Sequence, residues 1–244
     1  MNDFLNRLKF PILLVAAMWV VEIYEFLYNK SFTTWGILPR KVEGLLGIIS
    51  SPFVHSDFEH LMSNTIPLFT FLVIMLVFYK RVALASFIII YILTGFMVWM
   101  FARYSYIVGA SGVVYGLAGF VLSAGIFRKN IKSIVLSLVI LTVYSSLLAG
   151  ILPSDVRERV SWESHLFGFL VGIFTAYLFK NVKEEDEVDK PSPWEDEGEE
   201  NPYFPRDIFD KTKAQRAEEE RQRRLAELEQ RQRNQGGWYQ SGPF

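Results

Sequence analysis

The chain has three histidines, His55, His60 and His165, and no cysteine. Thiol catalysis, thiolate metal sites and disulfides are therefore excluded, and the redox compartment cannot be read from the composition. Acid–base chemistry near neutral pH falls on the three imidazoles. His60 is followed four residues later by Asn64, so both side chains lie on one helix face. His165 stands in Ser164-His-Leu-Phe-Gly168-Phe-Leu-Val-Gly172, and a third segment reads Gly109-Ala-Ser111-Gly112-Val-Val-Tyr115-Gly116. A serine hydroxyl within reach of an imidazole is a nucleophile with its base. The oxyanion it creates needs preorganised donors. Ser111 opens a predicted helix, where backbone N–H groups are free and the dipole is positive. His60 and Asn64 could add side-chain donors, and Tyr115, one turn past Ser111, could stack on the imidazole. Glu163 is the only carboxylate near His165 and is expected at an interface, so the pattern is a Ser–His dyad without a carboxylate. A three-histidine metal site fits less well, because His55 lies in a loop and no further ligands follow at metal-binding spacing. Neither a metal nor a cofactor is expected.

The elements that carry these residues are set by long uncharged runs. Residues 61–79, 82–102, 104–127 and 133–154 contain no Asp, Glu, Lys or Arg, and 164–179 forms a fifth run extended to spanning length by 161–163. Residues 10–28 form a sixth, interrupted by Glu22 and Glu25. About 17–25 apolar residues cross a hydrocarbon core of ~30 Å. The sequence therefore predicts an all-α, polytopic membrane protein of six transmembrane helices. The first run lacks a small-residue cleavage site and is expected to stay as a span rather than act as a secretory signal. Lys and Arg favour the loops on the side of the termini, nine against six, which predicts cytoplasmic termini in a cell (plasma or bacterial inner) membrane. Spans two, four and six then run inward from the outer side and bring His60, Ser111 and His165 to similar depth. Gly112 and Gly116 on span four, and Gly168 and Gly172 on span six, are small-xxx-small faces that let two helices approach closely.

These residues resemble the rhomboid family of intramembrane serine proteases. The resemblance covers residues 10–181 and rests on His55-x4-His60-x3-Asn64, Gly109-Ala-Ser111-Gly112 and His165-x2-Gly168-x3-Gly172. It implies that Ser111 is the nucleophile and His165 the general base, that His60 and Asn64 help line the oxyanion hole, and that Tyr115 packs on the imidazole. It gives His55 a supporting role, in structure or in organising water. It also implies membrane-protein substrates, cut near the outer ends of transmembrane segments that unwind locally. The connection 151–162 would cap the site, and span five, 131–148, would be the neighbour past which substrate enters. One departure is visible. The Trp-Arg pair that many members carry in the first outer loop is missing, since Gly36 follows Trp35 and Arg40 follows Pro39. The loop 29–58 is still expected to be an amphipathic element, with Phe32, Trp35, Ile37, Leu38, Leu45, Leu46 and Ile48.

Two other classes compete. An inactive rhomboid-like scaffold would be expected to lack the serine or the histidine, and both are present. A small transporter would spread polar groups through the bilayer and carry paired broken helices, neither of which is evident. Glu22 and Glu25, at i and i+3, suit a structural hydrogen-bonding position better than catalysis.

The charge is divided along the chain. Residues 1–182 hold 14 Lys/Arg and 9 Asp/Glu, a net of +5, and residues 183–244 hold 11 and 17, a net of −6. The second part is expected to be a cytoplasmic appendage: an acidic, Pro-containing linker over 183–209, a charged helix over 210–233 and a flexible end over 234–244. Within the helix, Glu219–Arg223, Glu220–Arg224, Glu227–Arg231 and Glu229–Arg233 are i,i+4 pairs in the favourable order, and Leu225 and Leu228 are too few for a heptad seam. No nucleic-acid partner is expected, because the basic residues form no aromatic-interleaved patch. The sequence identifies no partner for the tail.

Overall fold

In the computed structural model, residues 2–145, 150–152, 161–184 and 211–236 are described. Among the described residues the long helices are α1 (Asn2–Tyr28), α2 (Phe58–Phe78), α3 (Ala83–Phe101), α4 (Ser111–Arg128), α5 (Ile131–Val143), α6 (Trp162–Leu178) and α7 (Lys213–Gly236). Among the described residues the only strand-like pairing is an isolated antiparallel bridge between Ile37 and Ile107. Among the described residues four helices, α1 to α4, are long and apolar enough to cross a membrane. The 17 residues of α6 and 13 of α5 reach only about 25 and 20 Å at 1.5 Å per residue.

The outer faces of these helices are as apolar as the core. Leu13 on α1, Ile66 on α2, Leu84 and Ile88 on α3, Val135 on α5 and Phe174 on α6 are all exposed. Such a continuous exposed apolar exterior is disfavoured in water and suits a hydrocarbon surround. The interior forms around α4, which is buried along nearly its whole length. It packs most extensively on α6 and also against α5, α2 and α3.

Two boundaries differ from the uncharged runs. The run over 104–127 is longer than its helix, which begins at Ser111 as expected, and its first seven residues form a connection. Ile107 donates to and accepts from Ile37 at 2.9 Å, while Gly109 donates to the Ser51 carbonyl at 2.9 Å. With its backbone groups committed to the first loop, this stretch cannot make a helical ladder. The run over 133–154 holds α5 only as far as Val143; residues 146–149, and most of the expected cap at 153–160, lie outside the described residues.

The first loop is fastened to the end of α3. Arg40 donates from Nη1 to the carbonyls of Ala102 at 2.7 Å and Met100 at 3.3 Å, and its backbone N–H donates to Trp99 O. The Trp99 indole returns a hydrogen bond to Lys41 O at 2.8 Å. A cation on the last carbonyls of a helix satisfies orphan acceptors and suits the dipole. Ile37 and Leu38 turn inward, whereas Trp35, Leu45 and Leu46 stay exposed. Glu25 has a structural task here: its Oε1 accepts from the Phe32 N–H, closing the turn that follows α1.

At the other ends of the helices, Glu184, which the sequence assigns to the linker, is buried. It lies 3.6 Å from Arg128 at the end of α4, and its Oε2 accepts from Arg81 N at 3.0 Å. The Arg128 guanidinium also lies over the Tyr79 ring, 5.1 Å from its centroid. Both charged side chains are at most 4% exposed. Removing one partner of a buried pair costs several kcal/mol, because the other charge stays desolvated. Ending the chain after Lys183 is therefore expected to lower stability by on the order of 3 kcal/mol relative to a chain ending after Val188. Unfolding midpoints of the two in one detergent measure this, and equal midpoints would refute it.

Residues 189–244 form a unit of their own, and residues 185–210 and 237–244 lie outside the described residues. In α7, Arg224 pairs with Glu220 at 2.7 Å as the spacing predicts, whereas Glu219 pairs with Lys211, also at 2.7 Å, ahead of the helix. Such exposed pairs contribute little.

Candidate active site

Ser111 is the first residue of α4 and is half-buried. The first intrahelical bond runs from Val114 N to Ala110 O at 3.0 Å, so the N–H groups of Ser111, Gly112 and Val113 precede the ladder. The approach to the serine turns on Gly109, whose φ of +101° is a conformation that L side chains rarely adopt. A Cβ there would fall 2.7 Å from His60 Cε1, 2.8 Å from His60 Nε2 and 3.8 Å from Asn64 Nδ2. The backbone two residues before the serine thus lies directly against the His60 imidazole, with the Asn64 amide beside it.

His60 and Asn64 are placed by the start of α2. Asp57 is its N-cap and accepts from His60 N at 2.8 Å. That bond, the largest of several, holds the Asp57 carboxyl below the usual carboxylate range. Asn64 donates to the His60 carbonyl at 2.8 Å, which leaves its second amide hydrogen available. Ser56 Oγ lies 3.2 Å from His60 Nδ1.

The glycine after Ser111 faces the other way. A Cβ on Gly112 would meet Ser164 Oγ at 2.6 Å and Ser164 O at 3.3 Å, and one on Gly168 would overlap the Gly112 carbonyl oxygen. Ser164 is the residue before His165. Ser111 therefore sits between a glycine pressed on His60 and Asn64 and a glycine pressed on the helix turn that bears His165. The His165 ring is buried and stacks on Tyr115, with centroids 4.0 Å apart and planes at 9°. Its Nδ1 lies 2.9 Å from the Gly150 carbonyl oxygen. Glu163 is buried beside its N-cap, 3.5 Å from Arg103 and hydrogen-bonded by Ser161 Oγ at 3.2 Å.

Gly150 is the contact that sequence reasoning missed. It lies in an uncharged run fifteen residues before His165 and has no side chain to draw notice. Two hollows flank the site. One is lined by Ser51, Thr94, Gly109, Gly112 and Ser164. The other is an apolar cleft between α4, α5 and α6, lined by Tyr115, Ile140, Leu141, Tyr144, Ile151 and Phe169.

His55 is 4% exposed and meets His60 edge to face, with centroids 5.1 Å apart. Neither ring nitrogen has a partner in hydrogen-bond geometry. Burial, followed by the neighbouring His60, pushes His55 down from 6.5 to about 4, with the Phe53 carbonyl and Asp57 opposing. The fold thus favours the neutral ring. Its contribution is fully present above the unfolded value of 6.5 and is lost as pH falls toward about 4. The loss amounts to about 3 kcal/mol at 1.36 kcal/mol per pH unit. His55→Gln is expected to flatten the pH dependence of the unfolding midpoint between pH 6.5 and 4, and an unchanged dependence would refute this assignment.

The Rhomboid domain profile matches residues 42–182. An uncharacterised protein of Mycobacterium tuberculosis is 36% identical over 176 residues, covering 67% of this chain and 71% of its own length. An uncharacterised protein of Mycobacterium leprae is 29% identical over 173 residues, 67% of this chain and 68% of that protein. The Bacillus subtilis protein named "Putative rhomboid protease YdcA" is 27% identical over 142 residues, 56% of this chain and 68% of its own.

Proposed function

Because the chain belongs to the rhomboid family, we propose that it is an intramembrane serine endopeptidase that cleaves transmembrane segments of membrane proteins near their outer ends. The observation that carries this reading is the setting of Ser111, between a backbone pressed on His60 and Asn64 and a helix turn bearing a His165 ring stacked on Tyr115. The core crosses the cell membrane six times, with α5 and α6 as its shorter spans and both termini cytoplasmic.

In the reaction, the Ser111 hydroxyl adds to the scissile carbonyl carbon and its proton passes to His165. The resulting oxyanion is held by N–H groups at the start of α4 and by donors from His60 and Asn64. Breakdown of the tetrahedral intermediate breaks the C–N bond, and the imidazolium returns the proton to the departing amine. Water then adds to the acyl-serine with His165 again taking a proton, and breakdown releases the new carboxyl terminus and restores the hydroxyl. The apolar cleft beside Tyr115 suits the flank of an unwinding substrate entering past α5. His55 supports His60 from behind.

The test is covalent labelling. Purified full-length protein is treated with a serine-directed fluorophosphonate and the modified residue is located by mass spectrometry, while a model transmembrane substrate is followed for cleavage. Modification of Ser111 together with cleavage supports the protease. Absence of both in detergent and in bilayers would favour the scaffold.

A further inference from the structure

The His165 ring is fixed on its face by Tyr115 and on one edge by Gly150. A carbonyl oxygen has lone pairs and no hydrogen, so the 2.9 Å contact is a hydrogen bond only when Nδ1 carries the proton. In the neutral ring the lone pair then belongs to Nε2. We infer that Gly150 is a positioning residue, whose carbonyl holds His165 in the tautomer that leaves Nε2 to accept the Ser111 proton. This inference rests on the serine-protease reading and assigns to a main-chain carbonyl the orienting task that a carboxylate has in a Ser-His-Asp triad. A neutral acceptor does this without burying a further charge.

The position also requires glycine. A Cβ on Gly150 would overlap the Tyr115 hydroxyl oxygen, and would lie 3.1 Å from Tyr115 Cζ and 3.3 Å from His165 Nδ1. The same three residues therefore exclude a side chain and align the base. Gly150 belongs to the connection that follows α5, not to the α4–α6 pair that carries Ser111 and His165. The orientation of the base depends on a third part of the chain closing over the ring.

The chain has only three histidines, so nitrogen-15 NMR of histidine-labelled full-length protein in detergent resolves the question. The His165 signals are assigned by their loss in His165→Gln, and spectra are taken at a pH where the ring is neutral. The expected result is a protonated Nδ1 and a lone-pair Nε2. Gly150→Ala is expected to lose that tautomer preference and to reduce kcat by about 100-fold, the scale of a misplacement of about 1 Å, with KM little changed. Adding Tyr115→Phe removes the atom that the new methyl strikes, and is expected to recover part of kcat relative to Gly150→Ala alone. A wild-type spectrum with the proton on Nε2 would overturn the inference even if the variant failed to fold. So would wild-type kcat in Gly150→Ala, or no recovery in the double variant. Cleavage that persists in Ser111→Ala would instead bring down the protease reading, and would leave the tautomer measurement standing.

Discussion

Ser111→Ala is expected to abolish fluorophosphonate labelling and to reduce cleavage of a transmembrane substrate by on the order of 10⁴-fold or more, as for nucleophile loss in serine proteases. The size follows from what the substitution leaves behind. The N–H groups at the start of α4 and the side chains of His60 and Asn64 remain, but no atom is left to form the acyl intermediate. Because the wild-type hydroxyl is half-buried at a helix N-terminus and packs little apolar surface, the fold should be unaffected. Unfolding midpoints should therefore match within error while activity disappears. His165→Ala should cost a similar factor, and the double variant should be no worse than either single one, because in the proposed dyad nucleophile and base act as a unit. Additive losses would mean that the two residues do not share a step. Full activity in Ser111→Ala would place the nucleophile elsewhere.

What was legible in advance was whatever the local chain determines. His60 and Asn64 share a face because they are four apart on a helix, and the structure places both against Gly109. The stacking of Tyr115 on His165 was anticipated from the turn that separates it from Ser111. The uncharged runs marked α2 to α4, and the run interrupted by Glu22 and Glu25 marked α1, because a hydrocarbon surround excludes most charge over a fixed length. Ser111 was expected to open its helix and does, but the charge-free run itself does not mark that start, because lack of charge does not distinguish helix from a connection whose backbone is bonded elsewhere. Ile107 is as apolar as any span residue, and only its reciprocal bonds with Ile37 show that it is not helical. Arg40 was read as half of a missing pair, but its fork closes on carbonyls some sixty residues away at the end of α3. Gly150 was invisible for the same reason: its contribution is a carbonyl, which every residue has, aimed by tertiary closure. Glu184 carried the opposite lesson. A carboxylate in an acidic stretch reads as solvated, and this one is buried against Arg128.

The second large effect is expected from Gly168→Ala, which adds one methyl group where two helix backbones meet. Its Cβ would overlap the Gly112 carbonyl oxygen, with Gly112 C at 3.0 Å and Gly116 N at 3.2 Å. All three are main-chain atoms, so no rotamer change relieves the contact and α4 and α6 must separate. Four residues on, Gly172 meets Gly116 O and Phe120 N in the same way, so the seam cannot pivot about its lower half. Overpacking of this kind is expected to cost on the order of 3 kcal/mol of stability. The catalytic loss should be larger than the stability loss implies, because Ser111 rides on one helix and His165 on the other. A displacement of about 1 Å between reacting groups lowers kcat by on the order of 100-fold even in molecules that stay folded. Gly95→Ala is the comparison, since its Cβ would first meet Ile48 Cγ2 at 2.8 Å, the end of a side chain that can turn away. The measurement is kcat per folded molecule for both variants, alongside unfolding midpoints in one detergent. Equal, small losses in the two would show that the α4–α6 seam is slack, and that the spacing of serine and histidine is set by some other part of the fold.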